Sequence, residues 1–195
     1  MSSRRRMLEF LSLSRLPSAY QEVEYIGSSG TQYINTGVGT LLRCVCDIKF
    51  ADNNTRTLMG YLDFGSAGSY VDKQADKYYG LGGGVSSNIL ATERHEIEID
   101  KTSGAKIKLT IRSTSIERNV NYLPQANFAL LGGVQGYEGG STLYSCKIYD
   151  VSDVLVRDFV PCYRKADSVI GLYDLVNDVF YTNAGTGVFT KGANV

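Results

Sequence analysis

Three carboxylates alternate along the segment HEIEID at 95–100. Because successive side chains of a β-strand point to opposite faces, Glu96, Glu98 and Asp100 share one face, and the histidine and isoleucines take the other. Neighbouring carboxylates on that face would stand ~6.5 Å apart, near the separation that paired acids use in glycoside hydrolysis. One hypothesis is therefore a glycoside hydrolase. The other, which we favour, is a half-buried strand whose polar face meets water.

The chain's single histidine, His95, is the one residue that could complete a Ser-His-Asp or Cys-His arrangement. It lies on the apolar side of its predicted strand, so we expect a core or edge histidine rather than a catalytic base. The segment Gly80-Leu81-Gly82-Gly83-Gly84 lacks the GxGxxG spacing, and no GxxxxGK[ST] occurs in the chain. We interpret this segment as a loop or bulge and do not predict nucleotide binding.

The four cysteines stand at positions 44, 46, 146 and 162. Cys44 and Cys46 fall on the apolar side of the alternating segment 42–50, and Cys146 shares a predicted face with Tyr144 and Ile148, so all three are predicted to be internal. Neighbours two apart on a strand are separated by ~6.5 Å, which is too wide for good disulfide geometry. CxxC spacing and histidine partners for zinc are missing. Free buried thiols fit assembly in a reducing cytoplasm.

Tyrosine is abundant, with 14 copies, and several copies fall in or beside glycine-rich segments rather than in regular alternating strands. A tyrosine ring can stack on a sugar while its hydroxyl forms a hydrogen bond, although tyrosine is equally common in protein interfaces. The candidate ligand-binding residues are Tyr61, Asp63, Tyr70, Tyr78, Tyr79 and Tyr137.

Composition favours one all-β domain. The chain has 195 residues, of which 43% are hydrophobic, with 21 glycines and only 3 prolines. The formal net charge is zero, so no global field attracts nucleic acid or an anionic membrane. No apolar run reaches the ~20 residues that span a bilayer.

The first fifteen residues contain a basic cluster followed by a short apolar run. They are predicted to form an N-terminal arm, and the folded domain is predicted at 16–195. The start imitates a secretory signal, but Glu9 interrupts a short apolar run and no clean cleavage site follows. The arm could dock on a partner through one helical face and a basic cluster, or it could be a frayed tail. The docking candidates are Arg4, Arg5, Arg6, Met7, Phe10 and Leu11.

Short β-rich runs separated by turn residues every ~8–12 positions predict a sandwich or barrel. The predicted strands are 22–26, 31–35, 41–50, 56–63, 94–101, 105–113, 115–121, 127–132 and 142–150, with turns at 27–30 and 82–84. Near the end of the chain, 169–175 and 179–182 flank Val176-Asn177-Asp178, in which Asn and Asp tolerate a positive φ. This pattern predicts a closing hairpin without chemistry of its own.

Several of these segments together resemble laminin-G-like domains. In that family a hydrophobic strand ending in glycine leads through a loop to a strand that ends in Lys/Arg-Ile-Tyr-Asp. The matching segments are NFALLGG at 127–133, GSTLYSCKIYD at 140–150, the hairpin at 94–110, LPSAYQEVEYI at 16–26 with GTQYINTG at 30–37, and the stretch 159–190. The likeness is to a group common in gut Firmicutes and their bacteriophages. It covers nearly everything after residue 16, and its specific motifs lie outside about 51–92.

The resemblance implies a concanavalin-like jelly roll of two antiparallel sheets, a fold that serves lectins, viral structural domains and glycosidases. Laminarinase-type glycosidases of this fold carry acids in the order Glu-x-Asp-x-Glu, whereas this chain has Glu-x-Glu-x-Asp and lacks the tryptophan that lines their clefts. Laminin-G-like domains often hold calcium at the sandwich rim, for which Asp52, Asn53 and Asn54 are candidate ligands. A simple Asx turn is the alternative there.

We therefore expect a non-enzymatic phage virion-surface protein, assembled in the bacterial cytoplasm, with a lectin-like domain for glycan or host-surface adhesion. The arm would contact other virion proteins, and a homo-oligomer is expected. A purely structural decoration or fibre protein without sugar binding is the alternative.

Overall fold

The computed structural model describes residues 15–39, 43–51, 56–61, 71–74, 77–80, 83–84, 92–100, 106–119, 127–132 and 140–195. Within these ranges every regular element is a β-strand and no helix occurs. The strands form two sheets with antiparallel pairing, one of 11 strands and one of 6. The prediction of an all-β fold is confirmed, with the layered arrangement of an all-β sandwich.

The described strands are short near the N-terminus, and the two longest, with 9 and 10 residues, belong to the large sheet. They are β1 (Tyr20–Glu22), β2 (Ile26–Ser28), β3 (Ile34–Asn35), β4 (Arg43–Phe50), β5 (Arg56–Tyr61), β6 (Val71–Gln74), β7 (Lys77–Gly80), β8 (Gly83–Gly84), β9 (His95–Asp100), β10 (Lys106–Ile111), β11 (Thr114–Asn119), β12 (Phe128–Leu130), β13 (Ser141–Tyr149), β14 (Leu155–Arg164), β15 (Ile170–Asp174), β16 (Val179–Thr182) and β17 (Thr190–Lys191).

The large sheet has the order β11-β10-β9-β4-β13-β14-β15-β16, and the small sheet has the order β3-β12-β5-β6-β7-β8. The N-terminal strands pair with strands from the C-terminal part of the chain: β1 pairs with β14, and β2 pairs with β13 and β17. The predicted hairpin at 94–113 is confirmed as β9 paired with β10.

The main core lies between the two sheets. Along β4 burial alternates strictly, and Cys44, Cys46, Ile48 and Phe50 are all fully buried. They pack in one cluster with residues of the small sheet that include Phe128. The predicted inward face of this strand is therefore confirmed for its described residues.

A second, smaller cluster lies on the opposite side of the large sheet. Leu16 packs there against Val160, Cys162 and Tyr173, all of them buried. The ring of Tyr20 lies 4.8 Å from that of Tyr173, centroid to centroid. The segment just before β1 thus covers this part of the sheet and removes its outward side chains from water.

The closing hairpin is confirmed. Strands β15 and β16 pair in antiparallel register, and Asp178 in the intervening turn has φ 56°. At the end of β15, the fully buried carboxylate of Asp174 accepts hydrogen bonds from the backbone amides of Asp158 and Val176 and from the side-chain amide of Asn177. These bonds tie the turn to the start of β14, so this aspartate has a structural role.

Two predicted turns are wrong in part. Gly27 and Ser28 belong to β2, and Gly83 and Gly84 form β8, which pairs with β7. Glycine gives no side-chain alternation to recognise, yet its backbone groups pair in a ladder like those of any residue. The interpretation of 80–84 as a loop or bulge is wrong at the positions that lie in these strands.

Candidate functional site

Polar and aromatic side chains cover the outward side of β4, β9 and β13, the face of the large sheet turned away from the main core. We call this surface the outer face and define it by Arg43, Asp47, Arg94, Glu96, Glu98, Asp100, Tyr144 and Tyr149. The register brings these residues together, because β4 lies between β9 and β13 and pairs with both. The hairpin at 94–113 and the strand at 141–149 thus meet only through β4.

The first unit of the outer face is an arginine held between a carboxylate and an aromatic ring. The Arg94 guanidinium donates hydrogen bonds of 2.6–3.0 Å to both oxygens of Asp47 and lies 3.8 Å from the ring centroid of Tyr144. The Tyr25 ring meets that of Tyr144 edge-on at 5.5 Å. Partial burial raises the pKa of the Tyr144 phenol, which like an ordinary tyrosine hydroxyl is protonated at neutral pH and can donate a hydrogen bond.

The second unit repeats this arrangement at the other end of the same strands. The Arg43 guanidinium lies 3.8 Å from the ring centroid of Tyr149, which is its partner across the β4–β13 ladder. It also lies 3.1 Å from a carboxylate oxygen of Asp153 and 3.6 Å from one of Glu98. Two arginine–tyrosine pairs, each fixed by a carboxylate, therefore frame the outer face.

The carboxylates singled out from the sequence occupy this surface. Burial alternates along β9 as predicted, with Glu96 exposed and Glu98 and Asp100 half-buried, while His95 is 3% exposed on the core side. The prediction of a core position for the histidine is confirmed. Glu98 is held by Arg43, and the three acids have the exposure of a solvated strand face.

Tyr144 lies on the outer face because of a β-bulge. The pairing of β13 with β4 shifts register between Leu143 and Ser145, so Leu143 and Cys146 both point into the core. The prediction that Tyr144 shares the face of Cys146 is therefore wrong, whereas the same prediction for Ile148 is confirmed. A bulge reverses the alternation after itself, and uninterrupted alternation cannot anticipate it.

The tyrosines predicted to bind a ligand fall elsewhere. Tyr61 lies on β5, within the strand predicted at 56–63. Tyr78 and Tyr79 lie on β7 of the same small sheet, so the prediction that these two avoid regular strands is wrong. The remaining candidates lie outside the described residues: Asp63, Tyr70, Tyr137, the calcium candidates Asp52, Asn53 and Asn54, and the arm residues Arg4, Arg5, Arg6, Met7, Phe10 and Leu11.

A buried group of three thiols lies on the other side of the same strands. The Sγ atom of Cys44 is 3.5 Å from that of Cys46 and 3.7 Å from that of Cys146, and all three sulfurs lie within 4.8 Å of one another. All four cysteines are free and buried, which confirms the predicted internal positions of Cys44, Cys46 and Cys146. The sulfurs of Cys44 and Cys46 are far closer than their spacing along the strand suggested.

The thiols of this group differ in acidity. Burial raises the pKa values of Cys46 and Cys146 well above the ordinary value. Hydrogen bonds from Cys146 and then from Cys46 lower the pKa of Cys44, because its sulfur can accept from both neighbours. Sequence reasoning missed this cluster because Cys146 is about a hundred residues away in the chain, although alternation had placed all three cysteines inward.

No protein-family model matches the chain, and a search of curated proteins finds no relative. Among the described residues, the structure contains no helix with the length and apolar character needed to cross a membrane.

Proposed function

We propose that this protein is a non-enzymatic virion-surface protein of a bacteriophage, a capsid decoration, head-fibre or tail-associated protein. Its domain is a concanavalin-like jelly roll that adheres to glycans or the host surface, and its arm anchors it to other virion proteins. The segments at 16–37, 94–110, 127–150 and 159–190 that resemble laminin-G-like domains support this function. The two antiparallel sheets are compatible with it. Free buried thiols suit assembly in the bacterial cytoplasm before the protein reaches the virion surface.

The observation that carries the adhesive part is the pair of arginine–tyrosine units on the outer face. In each unit the guanidinium is fixed by a ring and a carboxylate, so its position is set before any ligand arrives. Ordered guanidinium, carboxylate and phenol groups can bind sugar hydroxyls as donors and acceptors. The mixed charge of this surface suits a neutral or weakly charged glycan better than a polyanion.

The root of the arm supports its anchoring role. Arg15 forms an ion pair with Glu22 of β1, and Leu16 is 5% exposed within the second cluster. A partner that holds residues 1–14 would therefore be coupled directly to the large sheet. Because β1 pairs with β14, a force applied to the arm would be transmitted to β14 and would not be absorbed by an unstructured linker.

A glycan array tests the adhesive part. We expect the wild-type chain to bind at least one cell-surface glycan and Arg94→Ala to lose that binding. Arg112→Ala is the matched control, because Arg112 is similarly exposed and paired with Glu93 but is not stacked on Tyr144. Equal binding by the two variants would remove the outer face as the adhesive site, and no binding by wild type at high concentration would reject adhesion.

Particle incorporation tests the arm. A chain that lacks residues 1–14 retains Arg15 and Leu16, so its fold should be preserved while its virion contact is lost. We expect the truncated protein to be absent from purified particles although it is present in the lysate. Unchanged incorporation would refute anchoring by the arm.

The alternative of a purely structural decoration protein is favoured by one observation. The turns 150–154 and 175–178 lie at the same end of β14. Four exposed valines lie in these turns and at the start of β16: Val151, Val154, Val176 and Val179. Such a group suits contact between copies of the chain. Analytical ultracentrifugation distinguishes the two functions: a stable oligomer that Val154→Asp dissociates, without any glycan binding, favours the structural protein.

A further inference from the structure

The thiol cluster of Cys44, Cys46 and Cys146 has the form of a metal site. Its three sulfurs come from two neighbouring strands, because Cys46 and Cys146 are direct partners in the β4–β13 ladder. An ion at the centre of a triangle of sulfurs with sides of about 4 Å lies about 2.3 Å from each sulfur, which is a normal metal–thiolate distance. The Cys44–Cys46 and Cys44–Cys146 sulfur separations are 3.5 and 3.7 Å, and the Cys46–Cys146 separation is within 4.8 Å, which is compatible with such a triangle.

The surroundings of the cluster are apolar. Across the ladders, Cys44 faces Ile99 and Ile148, Cys46 faces Ile97, and Cys146 faces Phe159. All of these residues are buried in the main core. A site of this kind excludes water and offers soft sulfur donors, which select soft metals over hard oxygen-seeking ions.

We propose that Cys44, Cys46 and Cys146 form a three-coordinate site for Cu(I). Thiolate sulfur is a preferred donor for this ion, whereas structural Zn²⁺ is almost always held by four ligands. Cysteine binds metal as the thiolate, so Cu(I) binding displaces thiol protons to the solvent.

The site is closed in the folded chain, since all three cysteines are fully buried. We therefore expect the ion to enter during folding or through rare opening of β4 and β13, so that loading is faster in refolding protein than in native protein. The bound ion would connect two central strands of the large sheet and stabilise the fold by mass action.

The test uses the full chain, reduced and without oxygen, refolded with Cu(I) supplied as its complex with a coloured chelator. We expect transfer of one Cu(I) per chain, release of at least one proton, a sulfur-to-copper ultraviolet band and a rise in Tm. Cys146→Ala should weaken binding by about 100-fold or more, since loss of second-shell groups alone costs 10–100-fold. Cys162→Ala is the matched control, because that buried thiol lies in the second cluster.

Failure of the wild-type chain to take Cu(I) from the chelator would overturn the proposal, as would equal binding by Cys146→Ala and Cys162→Ala. Tighter binding of Zn²⁺ than of Cu(I) in the same competition would overturn the choice of ion. If Cys146→Ala does not fold, the Tm of wild type and Cys162→Ala decides: a shift with Cu(I) in both supports the site, and no shift refutes it.

Discussion

The two halves of the large sheet differ in how they use their faces. In β4 and β9 one face enters the main core and the other meets water, so burial alternates residue by residue. In β14 and β15 both faces are covered, and burial is continuous from Phe159 to Cys162 and from Gly171 to Asp174. The cover on the second face is the segment that carries Leu16 and Tyr20.

This difference shows that buried and exposed residues alternate along a strand only where water covers one face of the sheet. A period of two appears in a sequence only where one face of the sheet remains wet, whereas a strand covered on both sides reads as an apolar run. The second cluster is small, yet it changes the pattern of two strands. We therefore expect its residues to contribute to stability like core residues, which the following measurements examine.

The largest effect is expected in the main core. Phe159→Ala removes a fully buried ring that meets the ring of Tyr181 edge-on at 5.2 Å between centroids. We expect the free energy of unfolding to fall by about 3–5 kcal/mol in urea denaturation, from lost transfer energy and a cavity. A change below about 1 kcal/mol would show that the sheets do not share a packed core at this position.

The next effect distinguishes the second cluster from a surface contact. Leu16→Ala should lower the free energy of unfolding by about 2–3 kcal/mol, the range for a buried leucine. Val188→Ala, at a position 74% exposed, is the control and should change it by no more than about 0.5 kcal/mol. Similar small changes in both variants would mean that the cover over β14 is not part of the cooperative fold.

Alkaline pH offers an effect that is smaller over a single pH unit and is confined to the second cluster. Burial raises the pKa of Cys162 from 9.0 to about 12, so between these values the folded chain keeps a proton that the unfolded chain has lost. The stabilisation from this thiol is complete below pH 9 and is lost as pH rises to about 12. Above pH 9, wild-type stability should fall up to about 1.4 kcal/mol per pH unit more steeply than that of Cys162→Ala. Parallel slopes in urea titrations would contradict burial of this thiol.

The smallest effect is expected on the wet half of the sheet. Arg94→Ala removes an exposed ion pair and a cation–π contact, so the free energy of unfolding should fall by about 0.5–1 kcal/mol. Arg112→Ala removes an exposed ion pair with Glu93 and should change it less. A loss above about 2 kcal/mol in Arg94→Ala would show that the outer face is as important to folding as the core.

The sequence predicted the fold best where one face is wet. The inward cysteines of β4 and the outward acids of β9 followed from alternation, and the closing hairpin followed from the Asn-Asp turn before Val179. Strand β14 was not predicted, because its run from Phe159 to Cys162 has no period and contains a proline.

The candidate site was predicted only in part. Glu96, Glu98 and Asp100 were placed on one face from their spacing alone. The arginine–tyrosine units depend on strand pairing between distant segments and, for Tyr144, on a bulge. The thiol cluster needs the same long-range register. A single sequence gives the face on which a residue lies, but it does not identify the neighbour across the ladder.

The pairing of the first strands has a consequence for synthesis on the ribosome. Strand β1 has its partner in β14, β2 has its partners in β13 and β17, and the amide of Val195 donates to the carbonyl of Glu22. Residues 20–28 are therefore synthesised more than a hundred residues before any of these partners. Until then the nascent chain must remain soluble with its earliest hydrogen-bonding edge open. A chain without residues 193–195 would lose the backbone hydrogen bonds that these residues make with Glu22 and Glu24.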